Sequence, residues 1–410
     1  MPSITTSKID MGQAIQPAFK VNNIPVVFAT DFNFIPYLGS AIQSLVENSS
    51  LKNNYDIVIL YADINEQNIK QLASTSKNNV SIRFYDMSKL MDGYKDKWYT
   101  RCNWSKAVYY RFFIPKIFSR YEKVLYLDAD IVILCDIAEL YNIELGDNLI
   151  GAVPDIPRQY HSDSYKNFIN NVIGIKCDQY FNNGILSLNI AKIERNNFLD
   201  TCIKTLSTLD NPAYLDQDVF NYIFKNRVKY FHNKYNFNWS LINSGEDLDK
   251  ILPLETYRRY REASKCPKII HYAGSYKPWK QPWLRYSGYF WKYACQTIFY
   301  KEIRDENTQN GVFTIQIIIG LIKIYTQKLL SYFRKYMKGD KMANQNNIKH
   351  SRTVKLFTFL PIYGWKEKGD KKTWKILGIP VFKRCRKANG NTTKYYFIGV
   401  PVIKVSKKMV

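Results

Sequence analysis

The stretch Val124-Leu-Tyr-Leu-Asp-Ala-Asp130 is an apolar run of strand-forming residues that ends in two carboxylates, Asp128 and Asp130. Carboxylates at the carboxyl end of a buried strand lie where open α/β sheets bind their ligands. Mg²⁺ and Mn²⁺ prefer oxygen ligands, which proteins supply from one or two carboxylates together with substrate phosphates. Because a bare Asp-x-Asp pair is common in solvated loops, the preceding strand is what makes this pair a predicted cation site.

Strand patterns alternate with helix patterns on both sides of this stretch. Helical spacing occurs at 38–46, 66–74 and 105–113. Alternation of this kind predicts an α/β fold with a parallel sheet, of the Rossmann-like type that binds nucleotides. The predicted strands are Ile24–Thr30, Tyr55–Tyr61, Val80–Tyr85, the Asp-x-Asp strand, Leu149–Val153 and Phe181–Asn189.

The composition is that of a globular protein with an appendage. Hydrophobic residues make up 46% of the 410 residues and aromatic residues 15%, which excludes wholesale disorder. The seven cysteines are scattered, odd in number and without C-x-x-C spacing, so they are expected to be reduced thiols. Residues 1–20 contain no continuous apolar run, and we therefore predict no secretory signal and a cytoplasmic location.

The positive charge is concentrated at the end of the chain. Residues 311–410 contain 22 Lys and Arg against three acidic residues, a net of +19, which leaves only +5 of the total +24 for residues 1–310. We predict an N-terminal extension at 1–23, a catalytic domain at 24–300, an amphipathic helical segment with a linker at 301–350, and a basic aromatic repeat region at 351–410. Such a tail could bind an anionic membrane or nucleic acid.

The segment Gly311–Phe333 is apolar but interrupted by Lys323 and Lys328. Its first 12 residues are uncharged, whereas a spanning helix needs about 20 apolar residues. The pattern therefore favours a helix at the membrane interface, and a helix packed on the catalytic domain is the alternative.

A weak repeat follows the linker at 339–351. Leu377-Gly-Ile-Pro-Val-Phe-Lys383 recurs as Ile398-Gly-Val-Pro-Val-Ile-Lys404, with a looser copy at 359–362. Each copy predicts a short apolar β-unit beside cations, a pattern that suits an anionic bilayer surface. Aromatic and basic residues also suit single-stranded nucleic acid, but no recognised nucleic-acid motif accompanies them. We predict an inner-face peripheral membrane contact and no nucleic-acid partner, with a merely structural appendage as the alternative.

A second chemical motif lies in Ile269–Lys280, a predicted strand followed by His271, Gly274 and Lys277. Glycine allows close backbone approach, and lysine offers a point charge suited to a phosphate. Taken alone, each of these residues has an ordinary structural explanation. The same is true of the remaining polar stretches, which are Ala29-Thr-Asp-Phe-Asn-Phe34, Tyr109-Tyr-Arg111, Phe181-Asn-Asn-Gly184 and Leu215-Asp-Gln-Asp218.

In their order along the chain these motifs resemble glycosyltransferase family 8, in particular its retaining bacterial lipopolysaccharide or lipooligosaccharide glucosyl- and galactosyltransferases. The resemblance covers about residues 24–290. It implies a GT-A type fold, a UDP-sugar donor, a lipid-linked saccharide acceptor and bound Mn²⁺ or Mg²⁺. By the same resemblance, Asp128, Asp130 and His271 are the metal ligands.

The resemblance also implies roles around the donor. Asp31 and Asn33 would contact uracil or ribose, and Phe34 replaces the usual tyrosine, which keeps base stacking but loses a hydroxyl. Gln217 would lie near the anomeric carbon, with Asp216 on a sugar hydroxyl. The other implied donor-site residues are Ala29, Arg111, Asp128, Ala129, Asn182, Gly274 and Lys277, of which Arg111 would reach the sugar or diphosphate and Lys277 would assist catalysis.

The predicted function is a metal-dependent hexosyltransferase that retains anomeric configuration and transfers glucose or galactose to a lipopolysaccharide or another lipid-linked saccharide. One alternative is a self-glycosylating, glycogenin-like primer, since the 32 tyrosines offer many acceptors. Another is a non-catalytic basic module that binds membrane or nucleic acid.

Overall fold

The computed structural model describes residues 8–9, 14–100, 104–160, 162–193, 196–210 and 212–307, together with strands between Trp365 and Ser406. The predictions for 311–333, for the linker at 339–351 and for the looser repeat copy at 359–362 lie outside these residues. Contacts between Cα atoms divide the chain into one unit at 1–334 and a second at 335–410. The domain bounds predicted above stay a prediction.

The predicted apolar runs all form strands, and the structure adds short strands that were not predicted. Within the described residues, the strands of the first unit are β1 Lys8–Ile9, β2 Asn23–Ala29, β3 Asn54–Tyr61, β4 Val80–Asp86, β5 Lys123–Leu127, β6 Ile131–Ile133, β7 Ile150–Pro154, β8 Phe181–Asn189, β9 Val228–Tyr230, β10 Phe237–Asn238 and β11 Ile269–His271.

The helices lie between these strands and after them. They are α1 Ile35–Asn48, α2 Glu66–Ala73, α3 Ser88–Asp92, α4 Ile114–Ile117, α5 Ala138–Tyr141, α6 Ile156–Gln159, α7 Asp163–Phe168, α8 Phe198–Thr208, α9 Leu215–Phe224, α10 Ser240–Asn243, α11 Leu248–Ile251, α12 Leu254–Lys265, α13 Ser287–Ala294 and α14 Tyr300–Asn307. The predicted helix at 105–113 is a 3-10 helix, Lys106–Phe113, whose first turn is capped by the Ser105 hydroxyl.

The main sheet has the strand order β1-β4-β3-β2-β5-β8-β7-β9 in the described part of the chain. β2 pairs in parallel with both β3 and β5. The prediction of a parallel sheet was wrong for β8, which runs antiparallel to both β5 and β7. β8 is buried on both faces, as a parallel strand would be, so its apolar sequence carries no information on direction.

Alternate residues of the central strands face two separate cores. Phe28, Ile59 and Leu127 belong to one apolar cluster, packed under α1 and α13. Val27 and Val124 belong to the cluster on the other side, under the 3-10 helix, α8 and α9. Because successive strand side chains point to opposite faces, a sheet covered on both sides requires a continuous apolar run, which is the pattern seen in β2, β3 and β5.

A smaller sheet of order β10-β11-β6 lies beyond the carboxyl end of β5 among the described residues. β6 follows the Asp-x-Asp turn directly and pairs antiparallel with β11, with Ile131 opposite His271. β10 pairs in parallel with β11 and places Asn238 opposite His271 on the other side. The small sheet therefore brings the second chemical motif to the end of the strand that carries the first.

A buried ion cluster ties the start of the chain to the main sheet. The Asp56 carboxylate is fully buried and binds the Arg83 guanidinium at 2.7 Å. It also accepts hydrogen bonds from the Tyr121 hydroxyl at 2.8 Å and from the backbone N–H of Ala18 at 2.9 Å. Ile15 is also buried, and its backbone N–H donates to the Ile117 carbonyl at 2.9 Å. Part of the predicted N-terminal extension thus packs against the sheet.

The second unit contains the strands β12 Trp365–Lys368, β13 Lys371–Ile376, β14 Ile379–Arg386, β15 Thr392–Phe397 and β16 Val400–Ser406. They form an antiparallel sheet in chain order. Five residues of each repeat copy enter β14 or β16, and Ile376 and Phe397 pair with the first residues of these strands. This confirms the predicted β-structure of the repeat.

In the described part of the chain no helix combines the length and apolar character that crossing a membrane requires.

Replacing Arg83 by alanine is expected to destabilise the protein by about 3–5 kcal/mol, because it leaves the buried Asp56 carboxylate without its charge partner. Urea unfolding followed by circular dichroism measures the change. The control is Lys192→Ala, which breaks a solvent-exposed pair with Asp147 and is expected to cause no measurable loss. Equal destabilisation by the two variants would contradict this interpretation.

Candidate active site

The Asp-x-Asp motif lies in the turn between β5 and β6. This turn is at the carboxyl end of β5, on the edge of the main sheet. The backbone N–H of Asp128 donates to the carbonyl of Gly184 at 2.8 Å, so β8 holds the turn in place. On the other side, the carbonyl of Asp130 accepts from the N–H of Tyr272 at 2.9 Å. Two neighbouring strands therefore fix the backbone that carries both carboxylates.

The predicted metal ligands meet at this edge. His271 Nε2 lies 3.2 Å from an oxygen of Asp130 and 3.6 Å from an oxygen of Asp128. One donor atom from each of the three residues lies within 4.8 Å of the others. Two carboxylates and one imidazole form a donor set suited to Mn²⁺. We therefore find that the residues present fit a divalent cation.

Lys277 belongs to the same cluster. Its Nζ donates to a carboxylate oxygen of Asp130 at 2.6 Å and to the carbonyl of Tyr272 at 2.8 Å. Gly274, in the turn between His271 and Lys277, has a φ of +90°, which favours glycine. The turn thus brings Lys277 to Asp130, the carboxylate that also lies next to His271.

Neighbouring charges govern protonation in the cluster. Burial alone would raise the pKa of Asp130, but Lys277 and His271 hold it well below the ordinary range. Burial lowers the pKa of His271, while Asp130 and Asp128 raise it, and the net shift is upward. The Asp130 carboxylate is therefore kept charged, which a cation ligand requires.

Arg111 lies behind the carboxylates. It is 4% exposed and its guanidinium contacts Asp128 and Asp216, both at 3.1 Å. It also donates to the Asn183 carbonyl at 2.7 Å and the Tyr126 hydroxyl at 2.8 Å. The structure thus places Arg111 between two predicted ligand-binding carboxylates, and its predicted contact with the donor stays a prediction.

The Asn182 and Gln217 side chains form one hydrogen-bonded group with Asp155. Asn182 Nδ2 and Gln217 Nε2 both donate to the same oxygen of Asp155, at 3.1 and 3.0 Å. Asn182 Nδ2 also contacts Gln217 Oε1 at 3.2 Å. The N–H of Asn183 donates to Gln217 Oε1 at 3.2 Å. The predicted reaction-centre amide is therefore fixed on both of its polar atoms.

Asp216 is buried beside this group. Burial raises its pKa to about 6, and Arg111 limits the rise. Asn183 Nδ2 donates to its carboxyl group at 3.0 Å. The residue before it, Leu215, is fully buried and has a φ of +45°, a left-handed conformation that is rare for leucine. Strained backbone of this kind is frequent at functional sites.

The predicted nucleotide-binding residues follow β2. Ala29 continues the strand that pairs with β5, where Phe28 lies opposite Leu127. Asp31 caps the next turn, accepting from the N–H of Phe34 at 3.1 Å. The Phe34 ring packs edge-on against Trp279, with centroids 6.3 Å apart, and Lys277 Nζ is 5.6 Å from that same Trp279 ring. The remaining predicted residues here are Asn33, which is exposed, and Ala129, which is buried.

A small cavity lies beside Asn182. Asp155 is 4% exposed, and its buried Oδ1 has no hydrogen-bond partner among the described residues. The cavity is lined by Pro154, Asp155, Ile156, Asn182, Asn233, Asn236, Asn238, Leu241 and Tyr260. The sequence interpretation missed Asp155, although it follows β7 just as Asp128 follows β5. It also missed Tyr126, whose hydroxyl donates to Asp128 at 2.8 Å and which carried no distinguishing signal.

Gly184 allows the ligands to come together. A Cβ atom at this position would lie 2.2 Å from the His271 ring and 2.7 Å from an Asp128 carboxylate oxygen. Contacts this short force one of the ligands to move. The Asn-x-Gly segment of β8 thus leaves room for the predicted metal cluster.

Similar proteins show the family to which the chain belongs. Residues 25–282 match the family model described as glycosyl transferase family 8. The chain belongs to glycosyltransferase family 8. Among similar family members, a lipopolysaccharide 1,2-glucosyltransferase of Escherichia coli K12 is 26% identical, over 68% of this chain and 79% of its own length. A lipopolysaccharide 1,3-galactosyltransferase of Salmonella typhimurium is 27% identical, over 62% and 72%.

Solved structures show the same fold. The bifunctional glycosyltransferase WbbM superposes with a TM-score of 0.62 at 29% identity, over 72% of this chain and 53% of WbbM. This chain therefore corresponds to about half of that longer protein. The galactosyltransferase LgtC, solved with donor and acceptor sugar analogues, superposes with a TM-score of 0.58 at 23% identity, over 67% and 96%. The Rossmann-like α/β fold of a family 8 glycosyltransferase is thereby confirmed for the first unit.

Gly184→Ala is expected to abolish Mn²⁺ binding, because the added methyl group occupies the space of the His271 ring. The electron paramagnetic resonance signal of free Mn²⁺ measures binding. Gly93→Ala is the matched control, since a Cβ atom there meets only carbonyl oxygens at 3.6 Å or more. Unchanged Mn²⁺ affinity in Gly184→Ala, with Gly93→Ala also unchanged, would exclude this role for the glycine.

Proposed function

We propose that this family 8 glycosyltransferase transfers a hexose, glucose or galactose, from a UDP-sugar to a lipopolysaccharide or another lipid-linked saccharide, with retention of anomeric configuration. The observation that carries the proposal is the cluster of Asp128, Asp130 and His271 next to Lys277, within hydrogen-bonding networks that reach Asp216 and Gln217. The family supplies the reaction class, and the cluster supplies the means of binding a diphosphate.

The donor is proposed to lie across the carboxyl edge of the sheet. Asp31 and Asn33 bind uracil or ribose at the end of β2, and the Phe34 ring stacks on the base. The backbone at Ala29, Ala129 and Gly274 lines the path to the diphosphate. Asn182, Asp216 and Arg111 hold the sugar. The Phe34 ring contacts the buried Trp279 ring, and Lys277 lies beside the same ring, so packing links the proposed base-binding residue to the proposed diphosphate-binding lysine.

Lys277 is proposed to stabilise the leaving group. Asp128, Asp130 and His271 would hold Mn²⁺ or Mg²⁺, which would supply positive charge to the diphosphate. The Lys277 ammonium group lies on the Asp130 carboxylate and can turn to a phosphate oxygen once a donor is bound. Positive charge at the place where negative charge develops lowers the activation barrier for the departure of UDP.

The transfer is proposed to take place on one face of the sugar. The anomeric C–O bond breaks, its electron pair leaves with UDP, and the acceptor oxygen forms the new bond on the same face. The acceptor proton passes to the departing diphosphate oxygen. Gln217 carries an amide, a poor nucleophile compared with the carboxylate of retaining glycosidases. Its hydrogen bonds to Asn182, Asn183 and Asp155 support a role in positioning the sugar.

The acceptor is proposed to enter beside Asp155. Asp155 and Asn182 line a small cavity together with other polar side chains, and such groups can hydrogen-bond a saccharide hydroxyl. Two similar proteins are named for lipopolysaccharide glucosyl and galactosyl transfer, which supports a lipid-linked saccharide as acceptor and leaves both hexoses open.

The basic C-terminal region is proposed to bind the enzyme to the inner face of the cytoplasmic membrane. Residues 311–410 carry a net charge of +19, and each Lys or Arg near an anionic surface contributes on the order of 1 kcal/mol. This contact brings the active site to a lipid-linked acceptor.

Incubation with a panel of UDP-sugars and Mn²⁺ is expected to release UDP from one hexose donor. Asp130→Ala should reduce this release to background, because it removes a metal ligand. Gln217→Ala should lower turnover while Mn²⁺ binding persists.

Intact-protein mass after incubation tests the glycogenin-like alternative, which requires added hexose on the protein. If the wild type releases no UDP from any donor, with or without lipid-linked glycan, the proposal fails and a binding role is favoured.

A chain ending at Asn310 is expected to keep its UDP-sugar hydrolysis and to lose binding to vesicles of anionic lipid. Cosedimentation measures the binding, and vesicles of neutral lipid serve as the control. Binding of the full chain should weaken as salt rises, because the attraction is screened. Equal cosedimentation of full and shortened chains would remove the membrane role from the C-terminal region.

A further inference from the structure

Asn236 lies between the metal cluster and the sugar-binding amides. It is the last residue of a 3-10 helix, Asn233–Asn236, that leads directly into β10. Its Oδ1 is 2.9 Å from His271 Nδ1, and its Nδ2 donates to Asn182 Oδ1 at 2.8 Å. Asn236 is 4% exposed, so these two contacts take up the polar atoms of a buried side chain.

The backbone N–H of Gly184 determines which atom donates in each of these hydrogen bonds. The N–H of Gly184 can only donate, and it donates to Asn182 Oδ1 at 2.9 Å. That contact fixes which end of the Asn182 amide is oxygen. The neighbour that approaches the same oxygen must also be a donor, so Asn236 presents its Nδ2 to Asn182.

This orientation determines the tautomer of the histidine. With Nδ2 turned to Asn182, Asn236 presents its Oδ1, an acceptor, to His271. His271 Nδ1 must then carry the hydrogen. In the neutral imidazole the lone pair is left on Nε2, the nitrogen that lies 3.2 Å from Asp130 and 3.6 Å from Asp128. The nitrogen that faces both carboxylates is therefore the one able to bind a cation.

We propose that Asn236 is a positioning residue for the reaction, holding His271 in its metal-binding tautomer and linking that ligand to the Asn182 and Gln217 amides. The proposal rests on the metal site of the proposed function. Partners that fix the second nitrogen of a metal-binding histidine commonly affect metal affinity by about 10–100-fold. The two polar atoms of Asn236 have separate roles. Its Oδ1 accepts from His271, the proposed metal ligand, and its Nδ2 donates to Asn182 in the proposed sugar site.

Two substitutions separate these roles. Asn236→Leu is similar in size and removes both hydrogen bonds, so the Mn²⁺ affinity of the protein alone, measured from the free-ion signal, should fall by about 10–100-fold. Asn236→Asp keeps an acceptor for His271 Nδ1 but cannot donate to Asn182. It should keep Mn²⁺ affinity near the wild-type value while kcat for UDP release falls, because Asn182 and Gln217 lose their support.

Asn243→Ala is the matched control. Asn243 also makes amide hydrogen bonds to its surroundings, with the Trp239 carbonyl and the backbone of Arg285, but it touches no proposed ligand. It should leave Mn²⁺ affinity and kcat unchanged even if thermal stability falls. Asp130→Ala tests the site itself and should abolish Mn²⁺ binding.

The results of these variants distinguish failure of the proposed metal site from failure of the proposed role of Asn236. If Asp130→Ala leaves Mn²⁺ binding intact, the metal site is wrong and the inference falls with it. If Asp130→Ala abolishes binding but Asn236→Leu has wild-type affinity, the site stands and the role of Asn236 is refuted. Should the leucine variant not fold, Asn236→Asp decides: lost Mn²⁺ affinity, or unchanged kcat, overturns the inference.

Discussion

The antiparallel register of β11 against β6 is the constraint on which the candidate active site depends. It places His271 opposite Ile131, next to the turn that contains Asp128 and Asp130. A slip of one residue would turn the histidine to the other face of the sheet. The register is supported by the backbone hydrogen bond from Tyr272 to Asp130 and by burial of the apolar residues of β11.

Charge balance is the second requirement of this arrangement. Two carboxylates brought together away from water repel each other, and burying them is costly unless cations or hydrogen-bond donors are near. Lys277 and Arg111 supply positive charge from opposite sides, on Asp130 and Asp128 respectively. These two partners offset the cost of holding the two carboxylates close together.

Most elements of the first unit could be predicted because their side-chain patterns are local. Continuous apolar runs identified β2, β3 and β5, and the carboxylates after β5 identified the candidate metal site. The direction of β8 could not be predicted, since a strand buried on both faces has the same apolar pattern in either direction. The 3-10 geometry of Lys106–Phe113 was also missed, because helical spacing over one or two turns does not separate it from an α-helix.

The sequence by itself determined the α/β alternation, the Asp-x-Asp strand, and the motifs that indicated the family, because these depend on residues close together along the chain. The tertiary structure alone decided which partners each side chain has. It placed Arg111 between two carboxylates, buried an oxygen of Asp155 without a hydrogen-bond partner among the described residues, and set Asn236 between His271 and Asn182. These contacts join residues far apart in the chain, and their geometry follows from strand pairing and packing, which no local pattern encodes.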